Sequence, residues 1–182
     1  MYFIIFIFIF VVTLTFAWAG IRGAPWVPTW GSDVKRFLKL ADIKKGERVY
    51  DLGCGDGRLV ASASKHGASA VGYEISLFPY FLAKIRGFFL KIKRDKRGRS
   101  SPFVAGCYTI KYKDFWGANL RDADVVYFFL MPKIYPKLKQ KLEKDLKKGT
   151  RVIAYVWPIK GWIPSKVSKH NKKPDIYLYY YK

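Results

Sequence analysis

The sequence predicts an α/β fold, a parallel sheet with helices on both faces, preceded by one N-terminal transmembrane helix. Three observations carry that expectation. Between residues 48 and 75 a strand, a helix and a second strand follow one another, the βαβ order that sets its two strands in parallel. Residues 124–130 (DVVYFFL) and 150–157 (TRVIAYVW) are near-continuous apolar runs, as expected of central strands covered on both faces. Residues 1–21 (MYFIIFIFIFVVTLTFAWAGI) hold no ionisable side chain except Tyr2. About 20 apolar residues in a helix cross roughly 30 Å of hydrocarbon.

The elements follow in order. Residues 1–21 form the anchor. Residues 22–32 (RGAPWVPTWGS) form a linker, because Pro25 lacks the amide a continuing helix needs. A cleavable leader ending at Ala17-Trp18-Ala19 is the competing reading, but no Lys or Arg precedes the apolar run, whereas Arg22, Lys35 and Arg36 follow it. That asymmetry predicts a single-pass protein whose body, residues 33–182, lies on the cytoplasmic side. A helix starts at Ser32 or Asp33, and Val34, Phe37, Leu38, Leu40 and Ala41 make its apolar face.

Arg48–Leu52 is a short apolar strand running into a glycine cluster. Residues 59–66 read as a helix closed by Gly67, residues 68–75 as a strand and residues 79–90 as a second helix. The basic stretch KIKRDKRGRSSP that follows reads as a loop. Residues 109–113 are a strand leading to Asp114, Phe115 and Trp116. Residues 133–147 are a helix burying Leu138, Leu142 and Leu146, and residues 175–181 (DIYLYYY) are a closing strand.

With 51% hydrophobic residues in 182, the chain can bury one sizeable core. Its 34 Lys and Arg against 13 Asp and Glu give a net charge of +21, which calls for a negatively charged partner unless the lysines serve solubility alone. Nucleic acid and anionic lipid both fit, and a body tethered beside a bilayer meets lipid first. Two Cys and two His without ligand spacing offer no metal site and no disulfide framework.

Gly53, Gly55 and Gly57, at alternate positions after the first strand, let the backbone turn sharply and approach a ligand closely. A dinucleotide loop needs G-x-G-x-x-G, and here the sixth position from Gly53 is Arg58. Asp51 and Asp56 would also repel a pyrophosphate. S-adenosylmethionine has no phosphate and carries an ammonium and a sulfonium, so those carboxylates attract it. Glu74, ending the second strand, is placed to accept from both ribose hydroxyls, against the alternative of a surface carboxylate paired with a lysine. Asp114 could accept from the adenine amino group, with Phe115 or Trp116 on the ring; a helix N-cap is an equal reading of it.

The run Val49-Tyr50-Asp51-Leu52-Gly53-Cys54-Gly55-Asp56-Gly57-Arg58, followed by Glu74 and Asp114, resembles the class I S-adenosylmethionine-dependent methyltransferases. Pro25-Trp26-Val27-Pro28-Thr29 and Asp114-Phe115-Trp116 narrow the resemblance to the small lysine methyltransferases that, in mitochondria, modify the ATP synthase rotor protein c and the adenine nucleotide translocase. The resemblance implies a Rossmann-like methyltransferase domain over residues 33–182. It implies cofactor contacts at Asp51, Gly53, Gly55, Gly57, Glu74 and Asp114, and an active-site role for Pro28 and Thr29; Cys54 within the loop and Phe115 beside Asp114 are expected to contact the cofactor with them. The chain departs from that family in the basic insertion around residues 91–99 and in its short, lysine-rich tail.

A substrate lysine, with a pKa of about 10.4, is neutral only about one part in a thousand at pH 7, so the site must favour the uncharged amine. Aromatic residues at the ends of the fourth and fifth strands suit that task. Phe128 and Val126 read as core, while Met131, Pro132 and Trp157 could line a substrate channel. Three functions are therefore weighed: methylation of a lysine on a membrane or membrane-proximal protein, methylation of RNA or of a lipid or small molecule, and a non-catalytic membrane-tethered binding module.

Overall fold

The computed structural model describes residues 2–95 and 107–182. Its elements are α1 (Tyr2–Arg22), α2 (Gly31–Ala41), β1 (Arg48–Leu52), α3 (Arg58–Lys65), β2 (Ser69–Glu74), α4 (Leu77–Asp95), β3 (Tyr108–Tyr112), β4 (Val125–Phe128), α5 (Tyr135–Asp145), β5 (Arg151–Tyr155), β6 (Lys166–Ser168) and β7 (Ile176–Tyr180). They build one seven-stranded sheet in the order β3-β2-β1-β4-β5-β7-β6. The first five strands of that order are parallel neighbours, from Ala70 beside Tyr108 to Phe128 beside Ala154. The sheet is mixed, however, because β7 runs antiparallel to both β5 and β6. No helix separates β6 from β7, so the chain turns straight back beside its neighbour.

Sheet alternation divides the core in two. On one face, Val49, Ala70, Val125, Tyr127 and Ile153 pack with Phe37 and Ala41 of α2, Leu59, Val60 and Ala63 of α3, and Ala83 of α4. On the other, Leu52, Val126, Phe128, Val152 and Ala154 pack with Leu138 and Leu142 of α5 and with Leu120 and Phe115. Helices thus cover both faces, as the sequence predicts. Phe128 and Val126 are fully buried core residues.

Two local expectations are corrected. Of the stretch read as a loop after residue 90, Lys91–Asp95 continues α4, because the apolar period of Phe81, Ile85 and Phe88 carries on without a breaker; the rest of it lies outside the described residues. The three-residue strand β6 is not legible in the sequence, because Lys166-Val167-Ser168 is too short and polar to show alternation. Elsewhere boundaries shift by a residue or two; β4 stops at Phe128 and α5 begins after a 3-10 turn at Pro132–Ile134.

The order of strands decides where a ligand can sit. After β1 the chain moves outward through β2 to β3, then returns to place β4 on the other side of β1. Connections leaving β1 and β4 therefore diverge, opening a crevice at their carboxyl ends. The scaffold beneath should be separable from that crevice. Leu142→Ala, which empties a fully buried position on α5, is expected to lower stability by about 2–5 kcal/mol in thermal unfolding while leaving ligand affinity at the crevice intact.

Candidate active site

At the carboxyl end of β1 the backbone passes through Gly53, Gly55 and Gly57 with φ of 83°, 54° and 70°, a region L-residues avoid. Gly57 is the N-cap of α3, and a Cβ there would overlap the Tyr108 hydroxyl. A Cβ on Gly55 would lie 2.6 Å from Trp26 Nε1, so the indole rests directly on the loop.

Glu74 ties this loop to β2. Its Oε2 accepts from Gly55 N at 2.8 Å, and its Oε1 accepts from Ile75 N at 2.9 Å and Ser76 N at 2.7 Å. It is buried, not a surface carboxylate paired with a lysine. Asp51, at the end of β1, is also buried; desolvation, with the charges of Glu74 and Asp56 adding to it, pushes its carboxyl well above the usual carboxylate range. Asp56 behaves oppositely. Burial works against its charge, but hydrogen bonds from Arg58 and the charge of Arg86 outweigh that and hold it below the usual range.

The linker folds back over the crevice. Arg58 Nη1 donates to Thr29 O at 2.6 Å, Thr29 Oγ1 lies 3.3 Å from the Tyr127 hydroxyl, and Met131 N donates to Gly23 O at 3.1 Å. Between linker and strand ends is a cavity of about 60 Å³ whose lining includes Asp51, Gly53, Cys54, Gly55, Glu74, Phe115, Pro28 and Thr29. Ala19 and Gly23 bring the end of α1 into its wall.

The other expected residues stand around it. Gly57 shapes the loop from below. Asp114 accepts from Trp116 N at 3.0 Å, the N-cap arrangement, and pairs with Arg22 at 2.6 Å. Met131 and Pro132 lie beyond β4, and Trp157 reaches the cavity only through Phe129, on which it stacks at 6.1 Å. Ser76, Arg58, Ala19 and Gly23 are not among the site residues expected from the sequence. Ser76 and Arg58 sit beside Glu74 and the glycine loop, a signal proximity could have supplied, whereas Ala19 and Gly23 read only as the end of the apolar run and the start of the linker.

The arrangement fits a cationic, hydroxyl-bearing ligand. Among the described residues, buried side-chain polar atoms without a hydrogen-bond partner include Trp26 Nε1, Asp51 Oδ1 and Ser76 Oγ, and all three residues line this cavity. Buried polar groups are costly unless satisfied, so two acceptors and a donor converge where such a ligand can complete them. Cys54 is not a nucleophile there, since burial and the Asp51 charge push its thiol well up.

Comparison with known proteins agrees with this geometry. Residues 51–166 match the family model of the ANTKMT methyltransferase domain. The chain belongs to that family. A protein-lysine N-methyltransferase of Saccharolobus islandicus is 38% identical over 85% of this chain and 92% of its own length. An adenine nucleotide translocase lysine N-methyltransferase of Mus musculus is 33% identical over 79% of this chain but only 57% of its own length. Among solved structures, an RNA methyltransferase from Salinibacter ruber in complex with S-adenosyl-L-homocysteine superposes with a TM-score of 0.72 at 29% identity, over 85% of this chain and 93% of that one. The protein is an S-adenosylmethionine-dependent methyltransferase, and the resemblance drawn from its motifs holds.

Two outcomes follow for the methyltransferase. Asp51 must lose its proton to attract a cation, so S-adenosylmethionine affinity is expected to fall as pH drops through the raised Asp51 pKa, by about tenfold per unit below it. Isothermal titration should show that slope, with proton release on binding, in the wild type and not in Asp51→Asn. The cavity is also well below the roughly 300–1,000 Å³ of pockets that bury small ligands. Trp26, which lies against Gly55, is expected to be displaced as the cofactor seats, and the ligand-induced change in tryptophan fluorescence is expected to disappear in Trp26→Phe.

Proposed function

We propose that this chain methylates a lysine side chain on a membrane or membrane-proximal protein, working from the cytoplasmic face. One observation carries the location: the wall of the cofactor cavity includes Ala19 and Gly23, at the end of a helix long and apolar enough to cross a membrane. Only 6% of that apolar window is buried against the rest of the protein, unlike a core helix. With α1 across a bilayer, the cavity opens within a turn or two of the membrane surface. Lysine as the target is supported by the names of the Saccharolobus and Mus relatives.

The residues have distinct tasks in this reading. Asp51, the glycine loop and Glu74 hold the charged and hydroxyl-bearing parts of S-adenosylmethionine, and Phe115 packs on its ring. The bound cofactor supplies an electrophilic methyl group on a sulfonium. Trp26, Tyr127 and Phe129 line the approach with aromatic surface, where an ammonium loses hydration and the neutral amine is favoured. Burial, with the Asp51 charge, pushes the Tyr127 phenol well up, so it stays protonated and acts with Thr29 as a neutral hydrogen-bonding pair that orients the amine.

Methylation of RNA is the second reading, favoured by the +21 charge. Transfer of labelled methyl from S-adenosylmethionine into host fractions separates the two. Label in a membrane protein band, released as methyl-lysine on hydrolysis and reduced at least a hundredfold by Glu74→Ala, is expected. Label confined to RNA or lipid would sink the lysine reading.

A further inference from the structure

Helix α4 has two unlike sides. Ala83 is fully buried and Gly87 abuts the Tyr108 ring, so this side packs on the body. The opposite side carries Phe81, Ile85 and Phe88 at 56%, 53% and 62% exposure, with Phe78 and Phe89 also exposed. Their spacing of three and four residues makes one continuous apolar stripe along the helix. Single exposed apolar residues are ordinary; a contiguous aromatic stripe marks a surface that something covers.

Its place and charge identify the cover. The stripe begins where α1 leaves the body: Leu77 N donates to Thr15 Oγ1 at 3.3 Å, and the Phe16 and Phe78 rings lie 6.5 Å apart. It is therefore continuous with the exposed apolar surface of α1. Lys84 and Lys91, both exposed, accompany it on a chain of net charge +21. A second copy would bring the same positive charge to the contact and be repelled, whereas an anionic headgroup layer over hydrocarbon complements both the phenylalanines and the lysines.

We propose that the Phe81, Ile85 and Phe88 face of α4 lies in the plane of the membrane, inserted at the headgroup level of an anionic bilayer as a second attachment beside α1. This rests on reading α1 as a span. A lone span leaves the body free to rotate about the helix axis; two attachments remove that freedom. The cofactor cavity, walled by the end of α1, then keeps a constant height and orientation above the bilayer, which confines methylation to lysines close to its surface.

The test uses the full chain in liposomes of 70% phosphatidylcholine and 30% phosphatidylglycerol, with Cys107→Ser removing the exposed native thiol. Single cysteines replace Phe81, Phe88, Phe10 in α1, or Lys148 as a distant control, each carrying an environment-sensitive dye. Unchanged S-adenosylhomocysteine affinity certifies folding. Phe81 and Phe88 positions are expected to be quenched at least threefold more by lipids spin-labelled near the headgroup than the Lys148 position, and Phe10 by lipids labelled deep in the chain. Quenching at Phe10 without quenching at Phe81 and Phe88 overturns the second attachment and leaves the span standing. Loss of quenching at all three overturns both. Blue-shifted emission at Phe81 and Phe88 that no lipid label quenches means a protein covers the stripe, and also overturns the proposal.

Discussion

The carboxylate of Glu74 accepts three backbone amides drawn from two places, Gly55 in the loop after β1 and Ile75 and Ser76 after β2. A buried carboxylate is tolerated only with such partners, and these amides need an acceptor because they lie where the strands have ended. The bond set holds the glycine loop against the end of β2 and so places Asp51 and Ser76 on one crevice. It also concentrates negative charge: burial first, and then the charges of Glu74 and Asp56, make ionisation of Asp51 unfavourable. A cationic cofactor seated beside Asp51 would relieve that repulsion.

The crevice becomes an enclosed site through chain that precedes the sheet. Trp26 covers Gly55, Arg58 clasps the Thr29 carbonyl, and Met131 N bonds Gly23 O across the opening. The ion pair between Arg22 and Asp114 is partly exposed and contributes about 1 kcal/mol at most. Hydrogen bonds to its main chain and the indole contact therefore position this segment more than that ion pair does. Because the same segment continues directly from α1, the end of the apolar helix forms part of the wall of the site.

Much of this was legible in residue order. The alternation of apolar strands and amphipathic helices, the positive-φ demand met by three glycines, and the acidic residues at the ends of β1 and β2 all rest on local rules of backbone and burial. Asp51, Glu74, Phe115, Pro28 and Thr29 all line the one cavity. Asp114 was open between adenine acceptor and helix cap, since both roles use the same carboxylate at the same turn. Its cap on Trp116 N is local, but its pairing with Arg22 depends on where α1 ends, a fact local rules do not contain.

By itself, then, the sequence determined the fold class and the glycine loop, because glycine conformations and carboxylate placement at strand ends are short-range properties, and its motifs carried the family resemblance that implies the methyltransferase chemistry. The tertiary structure alone decided the antiparallel β6 and β7 edge, the folding of the linker onto Gly55, and the entry of Ala19 and Gly23 into the cavity wall. Each of these is a contact between segments far apart in the chain, set by which surfaces remain to be buried once the sheet has formed.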